Sequence, residues 1–157
     1  MVKVLTCHGC SKKKKCIKQG VFFNERCAFY TKKRVSISQH MTKDLDDLWS
    51  LCVRTRDNFT CRKCGRSKEM GYTIQAHHII HKGNNNYGTR WVIENGISLC
   101  YHCHHHIAHH NSIEFENWIR DKVDYEALLI RKNNTVKDKA AVKIYLQNEL
   151  KKYESSN

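Results

Sequence analysis

Residues 100–110 read CYHCHHHIAHH, two cysteines and six histidines in eleven positions. Thiolates and imidazoles are the side chains that hold transition metals. What the stretch builds depends on where its partners lie. Cys100 and Cys103 form a Cys-x-x-Cys knuckle, and a second knuckle, Cys61 and Cys64, lies 35 residues upstream. Two knuckles supply the four thiolates that zinc takes in a closed tetrahedral site. Such an ion would staple the ends of the module between them. Its binding energy would be folding energy, because only the folded chain binds it. The competing reading is four unrelated buried thiols.

Between the knuckles, YTIQAHHII (72–80) is β-branched and aromatic enough for a strand. HKGNNNYGTR (81–90) reads as a loop by its Gly and Asn content, and WVIENGISLC (91–100) as a second short strand running into a helix. CYHCHHHIAHH would be that helix. Upstream, Leu45, Leu48, Trp49 and Cys52 fall at helical spacing, predicting a helix over 43–55 with Thr42 as cap and Asp44, Asp46 and Asp47 in its first turn. Cys52 reads as a small buried hydrophobe. Downstream, Phe115, Trp118, Ile119 and Val123 predict a helix capped by Asn111 or Ser112. Val142, Tyr145, Leu146, Leu150 and Tyr153 predict a last helix near 136–153. Its apolar face suits either the core or a second copy of the chain, so a homodimer stays open.

The 157 residues carry a net charge of +13, which points to an anionic partner. Residues 1–40 hold ten Lys and Arg against one acid, including the run Lys12, Lys13, Lys14 and Lys15. The same segment carries Cys7, Cys10, Cys16 and Cys27, a candidate second zinc set, with His8 as a possible substitute ligand. A flexible basic arm with incidental cysteines is the alternative. Phe22, Phe23, Phe29 and Tyr30 suit base stacking or a small core beside the metal. No apolar run reaches membrane-spanning length, and the start lacks the apolar stretch of a secretory signal. The expectation is a cytoplasmic protein, in which paired cysteines hold metal rather than disulfides.

AHHII (76–80), then ENGISLCYHC (94–103), then His104, resembles the His-Asn-His (HNH) endonucleases of the ββα-metal fold, in their four-cysteine zinc subtype. The likeness runs over roughly residues 43–111. LDDLWSLCVRTRD (45–57), the Arg90-Trp91 pair and the cysteine-rich start are similar to the recombination endonucleases of lambdoid phages, the Rap or NinG family. This chain has His104 where that family has Asn, and His77 where a small residue is usual. The resemblance implies an α+β fold with a small zinc-stapled ββα core, flanking helices and a cysteine-rich N-terminal zinc-binding segment. The implied division is 1–40, a nuclease domain over 41–112 and a helical extension over 113–157.

It also implies roles. His78 falls on the general base, and an imidazole titrating near neutral pH suits that task. His77 falls on a metal ligand that is often Asp, and His104 on a ligand carried by the helix. Neighbours in a strand point to opposite faces, so His77 and His78 would divide the labour. Asn95 falls on a residue that orients the loop and the base, a plain turn Asn being the alternative. A further histidine one helical turn after His104 would complete the site, but that position is Ala108. Five residues span about 500° of α-helix, which leaves His109 about 140° from the face of His104. It could ligate only from a distorted helix, and His110 less readily. His102, His105 and His106 read as exposed polar residues. His81, Lys82 and Arg90 are candidates to touch DNA phosphate, though a solvated loop accounts equally well for His81 and Lys82.

Imidazole in place of carboxylate softens the site, so Mn2+, Ni2+, Co2+ or Zn2+ suits it better than Mg2+. The functional expectation is a metal-dependent DNA endonuclease, with a non-catalytic zinc-containing nucleic-acid-binding module as the competitor. A structural zinc protein would leave the charge and the histidine pair without use.

Overall fold

Leu45, Trp49, Cys52 and Val53 form the buried stripe of a long helix, α1, Ile37–Arg56. Their spacing puts them on one face. In the computed structural model of the chain, residues 37–83, 88–132, 134 and 138–156 are described. The chain divides into two compact units, Met1–His40 and Met41–Asn157. The candidate second zinc cysteines, the lysine run and the aromatics of residues 22–30 lie outside the described residues.

The second unit is α+β. After α1 come β1 (Ile74–His78), a 3-10 turn (Ile93–Asn95), β2 (Gly96–Cys100) and a π-helix (Cys103–His109). Helices α2 (Ser112–Arg120), α3 (Tyr125–Lys132) and α4 (Lys139–Ser156) follow. The two strands are antiparallel, with His77 opposite Ile97 and His78 opposite Gly96.

The hairpin separates two apolar clusters. On one side α1 packs with Trp91, Ile93 and Leu146, the last from α4. On the other, Ile97, Leu99, Cys100, Cys103 and Ala108 pack with Phe115 and Ile119 of α2. Gly96 makes the first packing possible. A Cβ there would lie 2.3 Å from Val53 Cγ2 and 2.8 Å from Trp49 Cζ2.

The end of α1 is tied directly to β2. Asp57 accepts from the Ser98 N–H at 2.9 Å, while Arg56 donates to the carbonyls of Ile93 and Gly96 at 2.9 and 2.8 Å. The chain then reverses through Asn58 and Phe59, both left-handed at φ 49° and 46°. Positive φ is uncommon for a phenylalanine. Here it carries the chain from the helix into the first knuckle.

Several local expectations change. α1 starts before Thr42, which is no cap: its hydroxyl accepts from Lys139 of α4 at 2.8 Å. Asp44, Asp46 and Asp47 therefore lie beyond the first turn. Val123 lies past the end of α2, and Tyr145 is 40% exposed on α4. α3 has no counterpart in the sequence reading. Its eight residues bury only Leu128, too little apolar pattern to announce a helix.

Candidate metal centres and catalytic cleft

The first knuckle is a tight turn. The Cys61 N–H donates to the Arg66 carbonyl at 2.8 Å, the Gly65 N–H returns to the Cys61 carbonyl at 2.9 Å, and Gly65 adopts φ +75°. The Arg62 N–H donates to the Ser98 carbonyl at 2.9 Å, which docks the knuckle on β2. The second knuckle leaves β2 at Cys100 and enters the π-helix at Cys103.

These turns gather the sulfurs of Cys61, Cys64, Cys100 and Cys103 within 4.8 Å of one another, with Cys64 and Cys100 3.6 Å apart. Four sulfurs around zinc at about 2.3 Å stand about 3.8 Å apart, so the cluster could hold a zinc ion. The thiols are free, not disulfide-bonded. Burial raises both thiols, Cys103 well above the usual range and Cys64 above it. Cys100 is lowered, because hydrogen bonds from the Cys103 backbone and the neighbouring thiols outweigh its burial. Such a cluster cannot carry several thiolates without a cation to neutralise them.

The helix that follows is wound as a π-helix over Cys103–His109. Its i→i+5 hydrogen bonding brings residues five apart to one side. Cys103 and Ala108, five apart, are both buried against the core. His104 and His109, also five apart, therefore face one point, with ring centroids 4.7 Å apart. The distortion required for His109 is the observed backbone.

His77 reaches the same point from β1. Its ring lies 5.1 Å from those of His104 and His109, and all three offer ligand atoms within 4.8 Å of one another. Phe115 of α2 backs His77 edge-on at 5.1 Å. Burial, with repulsion from the neighbouring histidines, pushes His77 down to about 3 and His104 to about 4. Both are neutral at pH 7, the form that binds metal. Nδ1 of His104 is buried with no hydrogen-bond partner among the described residues. Buried polar atoms are rarely left so. The three imidazoles thus fit a divalent transition metal.

His78 turns to the opposite face of β1. Its ring stacks on Trp49 at 3.7 Å and 12° between planes. Nε2 lies 2.9 Å from the Arg90 carbonyl. A carbonyl only accepts, so Nε2 carries the hydrogen and Nδ1 keeps its lone pair. Burial lowers the His78 pKa to about 4 despite the carbonyl, which favours the charged form. His77, His78, His81 and His109 line one cleft of about 170 Å³, closed by Phe115, Ile119 and Tyr125. A larger cavity, about 670 Å³, sits among Arg56, Arg62, Lys122 and Arg131 and holds none of these histidines. The histidine chemistry singles out the smaller one.

Asn95 is fully buried and its amide makes three hydrogen bonds. Oδ1 accepts from the Ile80 N–H at 2.7 Å, and Nδ2 donates to the carbonyls of Ile80 and Thr89 at 2.9 and 3.0 Å. It closes the two ends of the 80–89 loop and makes no bond to His78. Lys82 and Arg90 both pair with Asp46 of α1, at 3.1 and 2.8 Å, and the Arg90 side chain is only 12% exposed. On the outer face Tyr101 stacks on His105, while His102, His106 and His110 form an exposed row.

Two residues of this site had no functional signal in the sequence. Asp46 looked like a helix-start acid and Trp49 like core. Their partners lie 29 to 45 positions away, a range that local pattern does not reach.

Residues 61–111 match the family model described as HNH endonuclease. The match begins at the first knuckle and ends just past the π-helix, spanning both strands and both candidate metal sites. No curated protein and no solved structure matches the chain.

Proposed function

We propose that the chain is a metal-dependent DNA endonuclease, hydrolysing phosphodiester bonds with His78 as general base. The observation that supports this most is the gathering of His77, His104 and His109 at one point, with His77 and His109 sharing a cleft with a fourth imidazole, His78, whose free nitrogen is set by its tautomer. A module that only bound DNA would need neither.

His77, His104 and His109 would hold the divalent metal. When bound, it supplies charge neutralisation for the scissile phosphate and the leaving oxygen. His78 Nδ1 takes the proton of the water that attacks phosphorus. As the new P–O bond forms, the bond to the 3′ oxygen breaks, and that oxygen leaves and gains a proton. The ends are then 5′-phosphate and 3′-hydroxyl, as the family resemblance implies. The Arg90 carbonyl, already bonded to Nε2–H, steadies the imidazolium that results. The stacked Trp49 holds the ring in plane.

Lys82, whose side chain is 40% exposed, is the better placed of the two loop cations to meet a phosphate. The basic N-terminal segment adds salt-dependent attraction for the backbone. The four thiolates carry structural zinc, and a second ion belongs to Cys7, Cys10, Cys16 and Cys27. The likeness to lambdoid-phage recombination endonucleases makes branched DNA the substrate to offer first.

Plasmid nicking in Mn2+, with a His78→Ala variant alongside, tests the reading. The wild type is expected to nick and the variant to bind DNA equally without cutting. Binding by both with no cutting in any divalent metal would make the chain a nucleic-acid-binding module. Equal cutting by both would remove His78 as the base.

A further inference from the structure

Four hydrogen bonds converge on the two carboxylate oxygens of Asp46. Arg90 donates twice, from Nε to Oδ1 at 3.0 Å and from NH2 to Oδ2 at 2.8 Å. Trp91 donates Nε1–H to Oδ1 at 2.8 Å, and Lys82 donates to Oδ2 at 3.1 Å. One residue of α1 thereby grips residues 82, 90 and 91. One helical turn on, Trp49 donates its Nε1–H to the Val92 carbonyl at 2.9 Å and lays its ring on His78.

The same residue, Arg90, thus faces two ways. Its side chain is fastened to Asp46 and its carbonyl accepts from His78 Nε2. Where that carbonyl sits is decided by where the guanidinium is held. If it drifts, nothing else described keeps the proton on Nε2, and the lone pair needed at Nδ1 is no longer assured. Trp49 fixes the ring plane but cannot choose between tautomers, because a stacked face is blind to which nitrogen carries hydrogen.

We propose that Asp46 is a positioning residue for the base: through Arg90 it locks His78 in the Nε2–H tautomer, so α1 is part of the catalytic machinery. Asp46 and Trp49 both lie outside residues 61–111, the segment that matches the HNH family model. The catalytic unit is therefore larger than the family segment, and that segment alone would hold metal but lack an oriented base. The inference rests on the nuclease reading for its kinetic consequence but not for its structural one.

The test uses the full chain with its zinc and compares Asp46→Asn, Asp46→Glu, Arg90→Lys and, as control, Asp47→Asn. Asp47 is an exposed acid whose one ion-pair partner among the described residues is Lys43. Long-range nitrogen–proton NMR reads the His78 tautomer directly. The wild type and Asp47→Asn should show protonated Nε2 alone. Asp46→Asn should show a mixture, Arg90→Lys a smaller one, and Asp46→Glu a partial return. In the nicking assay Asp46→Asn should lose roughly 10–100-fold in kcat with KM for DNA unchanged, the range typical for removing a group that orients a functional imidazole.

An unchanged tautomer in Asp46→Asn overturns the proposal. So does a rise in KM with kcat intact, which would make Asp46 a DNA-binding determinant only. If Asp46→Asn does not fold, Arg90→Lys decides by the same two readouts. Should no version cut DNA, the nuclease reading falls, while the tautomer measurement still decides whether Asp46 orients His78.

Discussion

His104 and His109 are five residues apart, and their rings meet 4.7 Å apart across one side of a π-helix. An α-helix would turn His109 about 140° away. The extra residue in the turn brings this pair together with His77 into a three-histidine group that could hold a metal ion. His109 is exposed, so removing it should leave the fold intact. His109→Ala is expected to weaken Mn2+ or Ni2+ binding roughly tenfold or more, as read by calorimetry, with an unchanged melting temperature in the metal-free protein. Unaltered affinity would leave His109 outside the site.

Three imidazoles make a donor set without a carboxylate. Cleavage rates in single metals should rank Mn2+, Ni2+ and Co2+ above Mg2+ by roughly tenfold or more, because Mg2+ prefers oxygen ligands. A strict requirement for Mg2+ would contradict this donor set.

The four-cysteine cluster should behave as a fold element, not a catalytic one. Cys103→Ala should lower the zinc content by about one ion per chain and abolish cooperative unfolding of the second unit. His104→Ala should retain that zinc and its unfolding transition. Full zinc content in the Cys103 variant would show that the four thiols do not form the site.

Gly96 sits where β2 crosses α1, with Val53 2.3 Å from any added Cβ. That neighbour is buried side chain in a packed cluster and has little room to retreat. Gly96→Ala should cost about 1–3 kcal/mol by overpacking, seen as a lower midpoint in urea. A neutral result would mean that the helix can slide off the hairpin.

Burial pushes the Asp46 carboxyl up, but its bonds from Arg90 and Lys82 win and bring it down from 3.8 to about 2. A carboxylate lowered in the folded state contributes stability that is complete above its unfolded pKa and is lost as pH falls through the folded one. The difference in stability between wild type and Asp46→Asn should be constant above about pH 5 and shrink by about 2 kcal/mol between pH 4 and 2. The side chain is 20% exposed, so solvent screens the pair little. A difference that persists to pH 2 would show that the charge of Asp46 is not what α1 uses to hold the loop.

Both knuckles, the two strands and the opposite facing of His77 and His78 were legible in the sequence. Each follows from a short-range rule: metal-ligand spacing, β-branched content, and the alternation of side chains along a strand. His104 was picked out by the resemblance to the HNH endonucleases. The winding of the helix was not legible. α and π turns differ by one residue, and the choice rests on which pairs are pinned. Here Cys103 is held at the thiol cluster and Ala108 against the core, five apart, so the backbone widens to satisfy both. Nor did the sequence mark Asp46, whose partners at 82, 90 and 91 become neighbours only when α1 docks on the hairpin. What the chain determined by itself is which thiols and imidazoles are available as ligands. Tertiary packing decided which of the six histidines in residues 100–110 stand with His77, and which nitrogen of His78 is left free. Those depend on contacts between residues 12 to 44 positions apart, which no local pattern encodes.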